Sequence, residues 1–300
     1  MSSRFHHIAA SLITFVFCTS LHPQSDDSAK AAQSASSPLK RYYTPGETMR
    51  YEMKGSNRGW EYQIQADATV KIDAQKLFFE EIGWSNLRSN APMTLSPTSL
   101  EFRQDLSLTS PKYLSVPDLS KVQPFVIGPI TDLLTFYADV FLANNLALTH
   151  AGQKAYFARG TPNSWADGQH VTLGQDSIDF DLTLEALDQP SKTATLLIRH
   201  VPPPHPQITL PTEWMKVRVG KGENNWVEVE KSDGKYLAQV GEETFDVHIK
   251  LDTFDGKILS AELHNPVSFT ARTCQDAALL NCDTATAGTL VRDVTLHLVK

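Results

Sequence analysis

Apolar and polar positions alternate with period two along most of the chain beyond residue 42, which predicts antiparallel strands half-buried on one face. The clearest run places Tyr62, Ile64, Ala66, Ala68, Val70 and Ile72 on one side and Gln63, Gln65, Asp67, Thr69 and Lys71 on the other. From Glu61 to Asp73 such a strand spans about 40 Å, roughly twice the usual length. Long antiparallel strands twist and curl, so the pattern predicts a barrel or half-barrel.

The region Asn224–Leu263 predicts a four-strand meander. Trp226–Lys231 alternates, Ser232-Asp233-Gly234 turns, and Tyr236, Ala238 and Val240 alternate again. Gly241-Glu242 reads as a second turn. Phe245, Val247, Ile249 and Leu251 follow on one face, Asp255-Gly256 is a hairpin signal, and Leu259, Ala261 and Leu263 resume. Further strands are predicted at Thr48–Lys54, Leu77–Leu87, Leu100–Leu108, His170–Leu173, Ser177–Ala186, Thr193–His200, Met215–Val219 and Leu290–Val299. The five prolines between Val201 and Pro211 predict an extended loop there.

One segment follows a different period. Gly128-Pro129 suits a helix start, and residues 130–148 carry no further breaker. Apolar residues cover most of this helix, leaving a narrow stripe of Asp132, Thr135 and Asp139. The two aspartates argue against a membrane span, and the stripe is expected to face water. The fold class is therefore mainly β: long, curled antiparallel sheet(s), half-barrel or barrel-like, with one largely apolar helix around 130–148. Two sub-domains dividing near 125–150 are the alternative to a single β-rich domain over 42–300.

The N-terminus carries an address. Arg4 precedes an uncharged, mostly apolar stretch from Ile8 to Leu21, too short for a comfortable span and suited to a signal peptide over 1–20. A lipid anchor at Cys18 is an alternative, opposed by the bulky Val16-Phe17 before it. Residues 21–41 are rich in Ser, Ala, Gln and Asp and are expected to form a polar tether. The mature chain is expected to carry no transmembrane helix and to reside in the periplasm or outside the cell.

Composition then narrows the function classes. Apolar residues at 41% and charged residues at 20% suit a soluble globular chain. A net charge of −7, becoming −8 once Arg4 is cut away, argues against nucleic acid as a partner. Three cysteines are too few for a disulfide scaffold. Cys274 and Cys282, the two outside the signal, predict one local disulfide contributing about 2–3 kcal/mol.

No catalytic, cofactor-binding or metal-ligating signature is present: there is no Gly-x-Ser-x-Gly, His-Glu-x-x-His, Walker or Gly-x-Gly-x-x-Gly motif. His200 and His205 flank a proline run and match no common metal spacing, so solvated or capping roles are expected. Asp176, Asp179 and Asp181 do not form the glycine-turned loop that calcium requires and are expected on a solvated strand face. Glu80-Glu81 and Glu242-Glu243 are adjacent acids that point to opposite faces if in strands. His248 is expected to be exposed, and Trp165 is expected on a loop ending in Asp167-Gly168.

The layout of signal, polar tether, long curling strands and one apolar helix resembles the half-barrel of bacterial periplasmic lipoprotein carriers. The resemblance is architectural and transfers no site residue. It implies an acyl chain or other hydrophobic ligand held between sheet and helix. The expected function is thus a non-enzymatic exported β-rich protein that binds a hydrophobic or lipid-like molecule. A structural or adhesion module with an envelope protein partner, and a hydrolase with a dispersed Asp/His site, are the alternatives.

Overall fold

The computed structural model describes residues 37–57, 59–91, 102–107, 122–157, 164–166, 170–173, 179–201, 217–222 and 224–299. The signal segment, Cys18, Asp176, His205 and the proline-rich stretch therefore lie outside the described residues, as does most of the expected tether.

The fold is mainly β, as the alternation predicts. The strands are β1 (Thr48–Asn57), β2 (Trp60–Ile72), β3 (Phe78–Ser89), β4 (Phe102–Ser107), β5 (Lys154–Phe157), β6 (Ser164–Ala166) and β7 (His170–Leu173). They continue with β8 (Asp179–Asp188), β9 (Thr193–Val201), β10 (Trp226–Ser232), β11 (Lys235–Glu243), β12 (Phe245–Asp252), β13 (Ile258–Cys274) and β14 (Thr286–Val299). Among the described residues a single helix, α1 (Pro124–Asn145), lies between β4 and β5 in sequence. All fourteen strands join one antiparallel sheet that does not close.

Strands from both sides of α1 share that sheet, because β1 pairs with β2 on one edge and β14 on the other. One sheet therefore carries strands from before and after residues 125–150. Curling comes from strand length and from register shifts in the β2/β3, β8/β9 and β12/β13 pairs, since a bulge increases local twist. Three strands are long: β2 has 13 residues, β14 has 14 and β13 has 17.

The sheet branches. β11 and β12 follow one another with only Thr244 between, and both pair with β13 in one continuous register. On their far edges they diverge, β11 to β10 and β12 to β9. Pro266 sits in β13 opposite this divergence, and its carbonyl accepts from the Thr244 N–H at 3.3 Å. Its missing N–H falls where the ladder is already interrupted, a position that tolerates proline.

Gly241 is no turn residue, contrary to the turn expected there. It lies inside β11 opposite Phe269, where an added Cβ would sit 2.7 Å from Phe269 Cα and against the Ser268 carbonyl. Close backbone approach explains the glycine. Gly241→Ala is expected to lower stability by about 1–3 kcal/mol through backbone displacement, read as a lower urea midpoint.

Other boundaries move. α1 begins at Pro124, five residues before the expected proline start, so Pro124 takes the first turn and Pro129 lies within the helix. Ser164–Ala166 pairs with β7 as a short strand instead of forming a loop. Residues 217–219 are irregular, with bends at 217 and 219, and not the end of a strand.

The core is one apolar cluster joining helix and sheet: Val126, Ile130, Leu133 and Phe136 of α1 meet Ile64, Ile82, Trp84, Leu182, Leu196, Ile249 and Leu296 of the sheet. α1 is long and apolar enough to cross a membrane by composition alone, with a mean hydropathy of 1.5, yet 78% of its apolar window is buried inside the protein. Leu39, placed by composition in the tether, is fully buried in this cluster. The Tyr42 N–H donates to the Asp255 carbonyl at 2.8 Å, so residues 37–47 cross one end of the half-barrel.

Candidate functional site

Helical spacing puts Asp132 and Asp139 on one stripe, and the curled sheet surrounds that stripe. Both carboxylates are 2% exposed, so the expected water-facing role is overturned. Each is tied to a strand distant in sequence. Even-numbered residues of β2 and β14 face inward, as Ile64, Val294 and Leu296 show, and the same parity turns Tyr62 and Arg292 toward α1. The Tyr62 hydroxyl donates to Asp132 Oδ2, and Arg292 Nη2 pairs with Asp132 Oδ1. Burial raises the Tyr62 hydroxyl above its ordinary range, opposed by the Arg292 charge. Burial likewise pulls the Arg292 guanidinium down.

A second tie lies further along the helix. Tyr137 of α1 donates to Glu80 Oε2 of β3 at 2.8 Å, and Arg41 Nη2 stands 3.5 Å from Glu80 Oε1. Glu80 has no exposed surface, and burial raises its carboxyl despite Arg41 and Tyr137. The hydroxyls of Tyr43 and Tyr51 are raised by burial and then by the Glu80 charge. Arg41 also pairs with Glu47 at 2.8 Å, and Lys257 reaches Glu47 at 2.5 Å. Burial pushes the Glu47 carboxyl up, but these two cations outweigh it and hold it low.

The third tie joins Asp139 to His200 of β9, Oδ1 to Nε2, at 3.2 Å. His200 is 5% exposed and its ring meets the Phe180 ring edge-on at 4.6 Å between centroids. The expected solvated role for His200 is overturned by this buried pair. His200 and Asp139 belong together, while Asp132 stands two turns away with its own partners.

Beyond the helix, the branch formed by β10, β11 and the second half of β13 holds a further buried polar group. Here Glu243, Asn265, Gln239 and Glu228 are all buried. Asn265 donates to Glu243 Oε1 at 3.3 Å, and Asn225 exchanges hydrogen bonds with the Glu243 backbone at 2.8 and 2.9 Å. Glu243 Oε2 is buried with no hydrogen-bond partner among the described residues. Burial is the main reason its carboxyl is pushed up to about 7, and the nearby Glu228 charge adds to it.

Other candidates stand apart. Asp179, expected on a solvated face, is buried, and the Tyr156 hydroxyl donates to its carboxylate. Asp181 is half-buried on the same strand. Glu80 and Glu81 do point to opposite faces, Glu81 pairing with Lys71 at 2.7 Å. His248 is exposed beside Glu185. Among the described residues, no three His, Cys, Asp or Glu side chains gather as a metal site would require.

Cys274 and Cys282 form the expected disulfide. It ties the end of β13 to a loop whose Asp276 carboxylate accepts from the N–H groups of Leu280 and Asn281 at 3.2 and 2.8 Å. A disulfide is compatible with an exported protein.

The ties made by Tyr62, Glu80, Arg292 and Asn265 leave no mark in the sequence, because each is a single polar residue in an alternating strand. Only inward parity marks Tyr62 and Arg292, and parity does not reveal a partner 70 residues away, the separation of Tyr62 and Asp132. The sequence matches no protein-family model, and comparison with curated proteins finds no similar chain.

Proposed function

We propose that this chain is an exported, non-enzymatic binding protein that takes up a hydrophobic or lipid-like molecule on the concave face of its sheet. The observation that carries this reading is the pairing of a helix apolar on nearly all sides with a sheet that curls around it and stays open. Apolar contact is continuous from sheet to α1, so helix and ligand compete for one surface. In this reading α1 is the occupant of the empty state, and the ties at Asp132, Tyr137 and Asp139 hold it in register for its return. Non-directional apolar burial suits such exchange, because one greasy surface replaces another, and the binding energy of the ligand has to offset only the broken polar ties. The ionisable side chains of α1 serve as cross-ties to the sheet, which supports a binding role over a catalytic one.

Native mass spectrometry of the protein purified from its own host tests this. The expected spectrum contains a complex heavier than the polypeptide by the mass of a lipid-like molecule, lost on collisional activation. The bare polypeptide alone, under conditions that preserve a control lipid-binding protein in its loaded form, overturns the proposal.

A further inference from the structure

Residues 37–43 reach the sheet as an irregular segment across one end of the half-barrel, and their side chains alternate. Leu39 is fully buried in the core and Arg41 and Tyr43 are half-buried, while Lys40 and Tyr42 are exposed. Little backbone bonding holds the segment down. Among the described residues its one main-chain hydrogen bond to the rest of the fold runs from the Tyr42 N–H to the Asp255 carbonyl, in the β12/β13 turn. Gly256 lets the two backbones touch there, since an added Cβ would sit 2.4 Å from the Lys40 carbonyl oxygen. Residues 37–43 are thus a strap fastened mainly by side chains, and segments with so few backbone bonds open locally well before a protein unfolds.

The central fastening enters the core. Arg41 Nη2 lies 2.8 Å from Glu47 and 3.5 Å from Glu80 Oε1. Its guanidinium also stands over the Tyr43 ring, 4.6 Å from the centroid. Glu80 faces inward like Ile82 and Trp84 and has no exposed surface. Its other oxygen accepts from the Tyr137 hydroxyl of α1 at 2.8 Å. One buried carboxylate therefore has the strap on one oxygen and the helix on the other, and its ion pair among the described residues is with Arg41. Lifting the strap alone strands a charge that α1 keeps from water, which is costly. Once α1 has moved and water reaches Glu80, the strap has less to hold. Each opening thus lowers the cost of the other, and such coupling is reciprocal.

We infer that residues 37–43 are a latch on α1, and that strap and helix open together at this end of the half-barrel through Arg41, Glu80 and Tyr137. This rests on the reading of α1 as the occupant that gives way to a ligand, and it adds where the concave face opens and what controls the opening. Native-state hydrogen exchange read by mass spectrometry tests it on the purified protein without added ligand. Arg41→Met is expected to speed exchange in residues 39–43 and also in α1 by about tenfold or more beyond any change in β13, the effect of losing an interaction with a charged group. Tyr137→Phe removes only a hydroxyl and should speed the strap in return. In a Glu80→Gln background the side chain still accepts from Tyr137 but carries no charge for Arg41, so adding Arg41→Met should change α1 exchange by less than about twofold. A strap that loosens in Arg41→Met while α1 keeps the wild-type rate overturns the latch. So do a strap unmoved by Tyr137→Phe, an equal rise throughout the sheet, and an Arg41→Met effect on α1 that persists undiminished in the Glu80→Gln background. Native mass spectra without a ligand would leave this coupling standing, and loss of the coupling would leave ligand uptake standing.

Discussion

Arg292→Met is expected to destabilise the protein by about 3–5 kcal/mol, the range found when one partner of a buried ion pair is removed. Its guanidinium is half-buried against α1, where it neutralises an Asp132 carboxylate that is 2% exposed. Methionine retains the aliphatic volume but leaves Asp132 with only the Tyr62 hydroxyl. The carboxylate must then take up a proton or draw in water, and both loosen the start of α1. Adding Asp132→Asn should recover most of the loss, because the neutral amide still accepts from Tyr62 and no orphan charge remains. Urea unfolding followed by circular dichroism reads both. A single variant within about 0.5 kcal/mol of wild type, the range of an inconsequential surface change, would falsify the view that this pair anchors the helix.

Glu243 makes the second large effect, and its sign is opposite to that of an ordinary surface carboxylate. Its folded carboxyl is pushed up to about 7 by burial, from an unfolded value near 4.5. Between these values the native state binds more proton than the unfolded state, so stability falls as pH rises through that window and is greatest below it. The full swing is on the order of 3 kcal/mol. Glu243→Gln should abolish this slope and leave the protein more stable than wild type at pH 8, with little difference at pH 4.5. The Asn265 contact to Glu243 Oε1 survives in the amide, which isolates the charge as the variable. Chemical denaturation at pH 4.5, 6, 7 and 8 provides the comparison, and parallel curves for wild type and the Glu243→Gln variant would sink the argument.

Much of the fold was legible because alternation is a local property. The turns at Asp233-Gly234 and Asp255-Gly256 followed from residues that accept positive φ, and Asp233, Gly234 and Gly256 adopt it. Gly241 misled because a glycine chosen for close approach looks, in sequence, like one chosen for a turn. The start of α1 misled because two prolines, at 124 and 129, compete for the same role and only packing decides between them. The polar core was the least legible part. Helical period showed that Asp132 and Asp139 share a side, yet whether that side meets water or protein depends on Arg292 and His200, and no periodicity links residues so far apart. Burial of His200 likewise depends on how the sheet curls β9 over the helix.

The pairing of β1 with β14 has a consequence for the order of folding. The first strand obtains one neighbour early, from β2, but its other neighbour is the last strand of the chain. Until Val299 is available, one edge of β1 stays unpaired and α1 has no Arg292 for Asp132. A nascent chain therefore presents an unsatisfied strand edge and an apolar helix for the whole time needed to make β5–β14, the circumstance in which chains aggregate. Closing contacts across such a sequence separation is also slow. The apolar helix thus gains its Arg292 partner only when synthesis has reached β14, the last described strand.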